Sequence, residues 1–421
     1  MNAAHSPATA PDNATPPVVL VLILAGMLLR LGWALVIPVE PVSDALAYHV
    51  YATNLVEHGV YGLAPDEPGA YWPVGTAAAA AATYLLLGDS FAGVVALNLI
   101  AGGVIMIMVF KLGLHWFGRD AAVMATGLVA FWPNLIFFTT ILSSELFFIM
   151  LVLIGLWLWE KRGQGWWPLV LGGLVWGLAC YVRPVALLLP VALMFAALPS
   201  GVGATLHRAG RAVAVIAIML AVLSPWTMRN YQLFGEPVLV STNFGPNLWM
   251  GNNPDSRGEY MPLPDWVADM SETERASALG DVAREHILSD LPGFALASIV
   301  KAVRLYDRET VGVIWNEAAI ERLAGAGGVL AAKLAATGYW YALLLLALWG
   351  VWRLAGLTGW RVLFHPAVLA ILYFTALHAV TVVQDRYHMP VSGFVAVLAG
   401  LGLADALRRW RARGGQQETV S

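Results

Sequence analysis

Apolar residues run in blocks of 16 to 25 positions, separated by short polar stretches, from Pro17 almost to the C-terminus. A helix needs about 20 mainly apolar residues to cross the hydrocarbon core of a bilayer, at about 1.5 Å per residue. The pattern therefore predicts an all-α polytopic membrane protein with about ten transmembrane helices, over residues 17–37, 90–114, 120–138, 145–160, 166–182, 184–200, 211–227, 329–351, 363–381 and 389–407. Two longer polar stretches interrupt it. The first, 38–89, holds an amphipathic helix from Asp44, on which Tyr48, Ala52 and Leu55 share a face. It also holds an Ala-rich apolar run, Pro73 to Leu87, that is short for a span and reads as an interfacial helix. The second, 228–328, begins with turn signals at Gly251-Asn252-Asn253-Pro254 and Arg257-Gly258 and continues as charged amphipathic helices over about 271–308.

Charge placement orients these elements. With 73–87 kept out of the bilayer, one side collects Lys111, Arg119, Lys161, Arg162, Arg208, Arg211, Arg353, Arg361 and the arginines of 408–413. The short loops of the other side hold only Arg183 and Arg386. The positive-inside rule makes the first side cytoplasmic, and it exempts a loop as long as 228–328. Three regions follow: a flexible cytoplasmic tail 1–16, a single membrane domain 17–408 with outer loops 38–89 and 228–328, and a basic cytoplasmic tail 409–421. The tail 1–16 has no Lys or Arg, unlike a cleavable signal, and both termini are expected in the cytoplasm.

Composition narrows the class further. Hydrophobic residues make up 59% and charged residues 12% of the chain, with 18 Trp, which excludes an ordinary soluble domain. The net charge of -3 and the absence of a basic block on a soluble face give no reason to expect nucleic acid. A single cysteine, Cys180, excludes intrachain disulfides and a Cys-based metal cluster.

Asp44, Glu145, Arg183, Arg229, Asp385 and Arg386 all fall at the outer face in this topology. Carboxylates and guanidiniums at the mouth of a helical bundle suit a phosphorylated ligand, which arginine binds through paired hydrogen bonds. Nucleotides are cytoplasmic, so an outer phosphate points to a lipid carrier. Read alone, Asp44 serves equally as a helix-capping acid, and so does Glu145 after Ser143 and Ser144. Arg183 and Arg229 read equally as interfacial anchors. Arg30 lies inside the first span, where an ionisable group usually has a specific partner, and is counted with the phosphate ligands. His365 and His378 read as helix–helix hydrogen-bonding groups, and His49 and His58 as solvated ones, so no metal ligand is assigned.

The order Ser43-Asp44, Tyr48, Ala52, Gly59, Tyr61-Gly62, Pro68-Gly69 and Pro73 resembles the first outer loop of GT-C glycosyltransferases. These polyprenyl-phosphate-sugar enzymes include the dolichyl-phosphate-mannose protein mannosyltransferases and the bacterial aminoarabinose transferases of lipid A. Ser144-Glu145, Val182-Arg183-Pro184, Pro225 to Tyr231, the 241–260 stretch and Gln384-Asp385-Arg386-Tyr387 extend the resemblance. It implies transfer of a sugar from a polyprenyl-phosphate donor to an acceptor hydroxyl on a glycan, lipid or protein, with inversion, at the periplasmic face of a bacterial inner membrane. Asp44 becomes the general base, Arg183, Arg229, Arg386 and Arg30 the ligands of the donor phosphate, and Glu145, Tyr48 and Asn252 groups that position donor or acceptor. No cofactor is required by this reading; a divalent metal has a place in some relatives, but the second acid they carry beside the base is missing here. A transporter or flippase of a lipid-linked sugar is the competing class, expected to place ionisable residues near the midplane in two related halves. A non-catalytic binder of such a lipid is the third.

Overall fold

The computed structural model describes residues 16–88, 90–161 and 164–418. The expected tail 1–16 lies outside the described residues except for Pro16, and Arg162 lies outside them too. Helices account for almost everything described, and the only strands among the described residues are Gly62–Ala64 and Glu67–Pro68, an antiparallel pair.

Each expected span corresponds to helix, but the helices differ in reach. Five are long and apolar enough to cross a membrane unaided: Pro17–Val36, Ala92–Phe117, Val202–Phe234, Glu317–Phe364 and Asp385–Arg413. Two bent pairs raise the number to seven: Arg119–Ala130 with Pro133–Thr140, and Glu272–Ser289 with Leu291–Arg304. The helices Glu145–Glu160 and Trp167–Val182 have 16 residues each, about 24 Å at the usual rise, which falls short of the hydrocarbon thickness. Val74–Leu87, with 14 residues, is shorter still. By length and composition the helices able to cross unaided thus number five, or up to seven with each bent pair counted as one, and the remaining expected segments are shorter apolar helices.

The first and last spans have opposite surroundings. Only 17% of the apolar window of Pro17–Val36 is buried, and Leu20, Val21, Leu24, Leu28 and Leu35 face outward, as lipid-facing residues do. In Asp385–Arg413 the figure is 78%, with Phe394 to Ala399 all buried, so this segment is the centre of the bundle. Its neighbour Glu317–Thr358 reaches it across Gly350 and Gly402, where a Cβ on either glycine would overlap the facing carbonyl oxygen of Leu398 or Leu346. That neighbour is two helices joined at Gly325, whose φ of 67° only glycine adopts readily. The last helix, Ser392–Glu418, runs on through most of the stretch expected as a basic tail.

The two polar stretches pack as layers on the bundle. Asp44–Glu57 buries Ala45, Tyr48, Tyr51 and Ala52 against Ala77, Ala80, Ala81 and Tyr84 of Val74–Leu87. In the longer stretch, Glu272–Ser289 opens with a reciprocal cap between Ser271 and Glu274. Leu291–Arg304 then turns away by 109°.

Candidate active site

Four short segments converge from distant parts of the chain. Val42 to Ala45 form a tight turn, closed by the Ala45 N–H donating to the Val42 carbonyl at 3.0 Å. Ser43, at its second position, has φ 54° and ψ -127°, and is the only non-glycine residue with positive φ among those described. Such a conformation is costly for a residue with a Cβ, and costs of this kind gather at functional sites. Asp44 follows it directly and starts its helix.

Glu145 opens Glu145–Glu160, where the unpaired N–H groups favour a carboxylate. Arg183 ends Trp167–Val182 in an extended conformation forced by the following Pro184. Arg386 lies at the start of the short helix Asp385–Val391.

Arg386 joins both acids. Its two terminal nitrogens donate to Asp44 Oδ2 and to Glu145 Oε1, the latter at 3.3 Å, and its Nε donates to Gln384 Oε1 at 2.9 Å. The same Oε1 of Glu145 accepts from Arg183, whose Nε donates to Ser144 Oγ at 2.8 Å. The Arg386 guanidinium also stacks on Trp315, 4.7 Å from the ring centroid, and lies near the Tyr387 ring. The side chain of Glu145 is fully enclosed and that of Arg386 is 5% exposed, whereas Asp44 and Arg183 keep 15% and 13%. The buried members are thus the shared ones, and the outer two are open to a ligand. Two carboxylates and two guanidiniums cancel in charge, which is what a burial of this depth requires. Tyr48, buried beside Asp44, has its phenol pushed well above the usual range by desolvation and then by that carboxylate, so it remains a proton-bearing hydroxyl.

Other residues expected at the site are placed elsewhere. Arg30 is buried and donates to the carbonyls of Gly26, Ala130 and Val129 at 3.0 to 3.1 Å. The helix Arg119–Ala130 stops short of Pro133, which has no N–H to offer Val129, and Arg30 covers the freed carbonyls. In this structure its side chain has the place of a helix cap. Arg229 stacks on Trp226 and donates to the carbonyl of Gly69 at 2.7 Å and to Asn230, tying the strand pair to the helix Val202–Phe234. Asn252 is buried, donates to the Leu248 and Val380 carbonyls and accepts from Lys301 Nζ at 2.9 Å, which makes it a brace between layers.

Several site features were not anticipated from sequence: the strained turn at Ser43, the platform Trp315, and the buried pair Glu309–His388 behind Arg386. The QDRYH run was the only sequence signal near that pair. No three His, Cys, Asp or Glu side chains gather as metal ligands among the described residues. Asp44 and Glu145 are already paired by the Arg386 guanidinium, so these two carboxylates as held here do not fit a divalent ion.

Residues 67–228 match the family model described as dolichyl-phosphate-mannose-protein mannosyltransferase, a range that includes Glu145 and Arg183 and leaves out Asp44 and Arg386. No curated protein matches the chain in sequence. The oligosaccharyltransferase of Archaeoglobus fulgidus in its apo form superposes with a TM-score of 0.58 at 12% identity, covering 96% of this chain and 52% of that one. The same enzyme, named AglB and solved with an inhibitory peptide and a dolichol-phosphate, gives 0.56 at 14% identity, over 94% of this chain and 52% of that one. It has also been solved with Zn and sulfate. ArnT from Cupriavidus metallidurans, bound to undecaprenyl phosphate, gives 0.45 at 15% identity over 93% and 79% of the two chains, too loose to bear on the fold. The chain spans about half the length of the oligosaccharyltransferase. It thus shares the fold of that oligosaccharyltransferase and is similar over residues 67–228 to the dolichyl-phosphate-mannose-protein mannosyltransferases.

Proposed function

We propose that this protein is an inverting membrane glycosyltransferase that moves a sugar from a polyprenyl-phosphate donor to an acceptor hydroxyl at the extracytoplasmic face. The observation that carries the reading is the neutral Asp44–Arg386–Glu145–Arg183 network, buried on one side and accessible at Asp44 and Arg183. The donor phosphate, esterified to both the lipid and the sugar, is a diester with a single dispersed negative charge, and two guanidiniums already held in one place are its natural partners.

In the ligand-free protein the Asp44 carboxylate is engaged by the Arg386 guanidinium. A donor phosphate competes for that guanidinium, and as Arg386 turns toward it the Asp44 carboxylate is released to the acceptor. The acceptor oxygen then forms its bond to the anomeric carbon and its proton passes to Asp44. The bond from that carbon to the phosphate oxygen breaks, its electron pair leaves with the phosphate, and Arg183 and Arg386 neutralise the growing charge. Glu145 keeps the two guanidiniums together throughout. No step requires a metal.

The charge asymmetry of the loops supports an extracytoplasmic site with both termini cytoplasmic, and the resemblance to GT-C glycosyltransferases supports the periplasmic face of a bacterial inner membrane. The same reading keeps 17–408 as one membrane domain with Tyr48 lining the acceptor side of Asp44. The flippase alternative finds less support, because the polar cluster lies at helix ends, whereas Arg30, within the first span, gives its terminal nitrogens to backbone carbonyls. The test is incubation of purified protein with a panel of radiolabelled polyprenyl-phosphate sugars and membrane extract. Sugar appearing on an acceptor supports transfer; movement of intact lipid between leaflets without transfer supports the flippase instead.

A further inference from the structure

Arg386 is tied down on both sides by two consecutive residues of the long polar segment. On one side, Asp385 Oδ2 accepts from the Thr310 N–H at 2.8 Å and from its hydroxyl at 2.7 Å. On the other, His388 Nε2 faces Glu309 Oε1 at 2.9 Å, while its Nδ1 faces the Leu305 carbonyl at 2.8 Å. A carbonyl only accepts, so Nδ1 carries a proton, and a second proton must lie between Nε2 and Glu309 to make that contact a bond. The remaining oxygen of Glu309 accepts from Trp132 Nε1 at 2.8 Å. His388 is stacked on Trp340 with ring centroids 4.3 Å apart, and Glu309, His388, Trp132 and Trp340 are all at most 1% exposed. The same segment supplies Trp315, on which the Arg386 guanidinium rests.

An ionisable pair buried this deeply adds little to stability over an apolar pair of the same size. What it supplies is direction: it fixes the rotation of the short helix Asp385–Val391, and with it the point from which Arg386 projects. The geometry points to Glu309 and Thr310 as positioning residues for Arg386, a clamp that holds its guanidinium between Asp44 and Glu145, where a donor phosphate can take it up. This rests on the reading of Arg386 as a phosphate ligand.

The test uses the full-length protein in detergent and undecaprenyl phosphate as the probe, with Glu309→Ala, Glu309→Gln and Thr310→Val each made alone and together with Arg386→Ala. Loss of one directing hydrogen bond should weaken probe binding about three- to tenfold in Glu309→Ala and Thr310→Val. Glu309→Gln should bind within about twofold of the parent, since its amide donates to His388 and its oxygen accepts from Trp132. In the Arg386→Ala background none of the three should weaken binding further, because a residue that acts through Arg386 has nothing left to position. Equal weakening in both backgrounds, or parental binding by Thr310→Val, overturns the clamp while leaving Arg386 as a phosphate ligand. Should Glu309→Ala fail to fold, the Thr310→Val cycle decides alone, as Thr310 keeps its backbone bond to Asp385. If Arg386→Ala binds the probe as tightly as the parent, the phosphate role of Arg386 fails, and the clamp with it.

Discussion

Glu145 is the residue on which the site depends structurally. It is fully enclosed and its Oε1 is shared by two guanidiniums, so Glu145→Gln leaves a buried positive charge without a counter-ion. Breaking such a pair costs about 3–5 kcal/mol. We expect a drop of several degrees in the thermal midpoint of the purified protein together with loss of transfer; an unchanged midpoint would show that the charge is screened in some other way. Ser43 makes the opposite prediction. Its φ of 54° suits glycine, so Ser43→Gly should raise stability by about 1 kcal/mol. A lower melting temperature in that variant would mean that the side chain contributes something the backbone angle does not reveal.

At the scale of elements, Arg30 separates two roles by experiment. As a cap on the carbonyls of Val129 and Ala130, it should lose stability when changed to Met, by about 1.5–3 kcal/mol for charge-assisted bonds, while folded protein transfers sugar at the parental rate. A phosphate ligand would behave the other way, with a stable protein and impaired donor binding. The crossing of Glu317–Thr358 with the last helix should tolerate no side chain, so Gly350→Leu is expected to abolish the monodisperse species in size-exclusion chromatography. Recovery of a normal peak would require the two helices to move apart.

The same scale shows what the sequence could disclose. The helices and their order were legible because apolar runs and caps are local, and the acids and arginines beside the spans were legible as candidates because charges stand out in so apolar a chain. The pairing of Asp44 with Arg386 links residues 342 positions apart, and no periodicity carries that information. The surroundings of Arg30 were hidden for a related reason: an arginine in a span requires a partner, and the partner here is the backbone of a helix ended by Pro133, which becomes visible only when the two helices are packed. The ends of Glu145–Glu160 were legible, coinciding with the expected 145–160, whereas the bend between Arg119–Ala130 and Pro133–Thr140 within the expected 120–138 was not.

For the whole molecule, the bundle is a scaffold that brings together, at the ends of its helices, one accessible acid and one accessible arginine, with the central segment Asp385–Arg413 supplying the residue that joins them. If the chemistry is as proposed, chelation with EDTA leaves transfer unchanged, and a requirement for added divalent ion would contradict the unfitting donor set of Asp44 and Glu145. The central claim is that Asp44 accepts the acceptor's proton, and the most direct measurement is the transfer rate of Asp44→Asn beside its affinity for undecaprenyl phosphate. The account predicts a folded protein that binds the lipid phosphate at least as tightly as the parent, because Arg386 is released from its carboxylate, with transfer reduced about 10²- to 10⁴-fold. Transfer at the parental rate by that variant would contradict it.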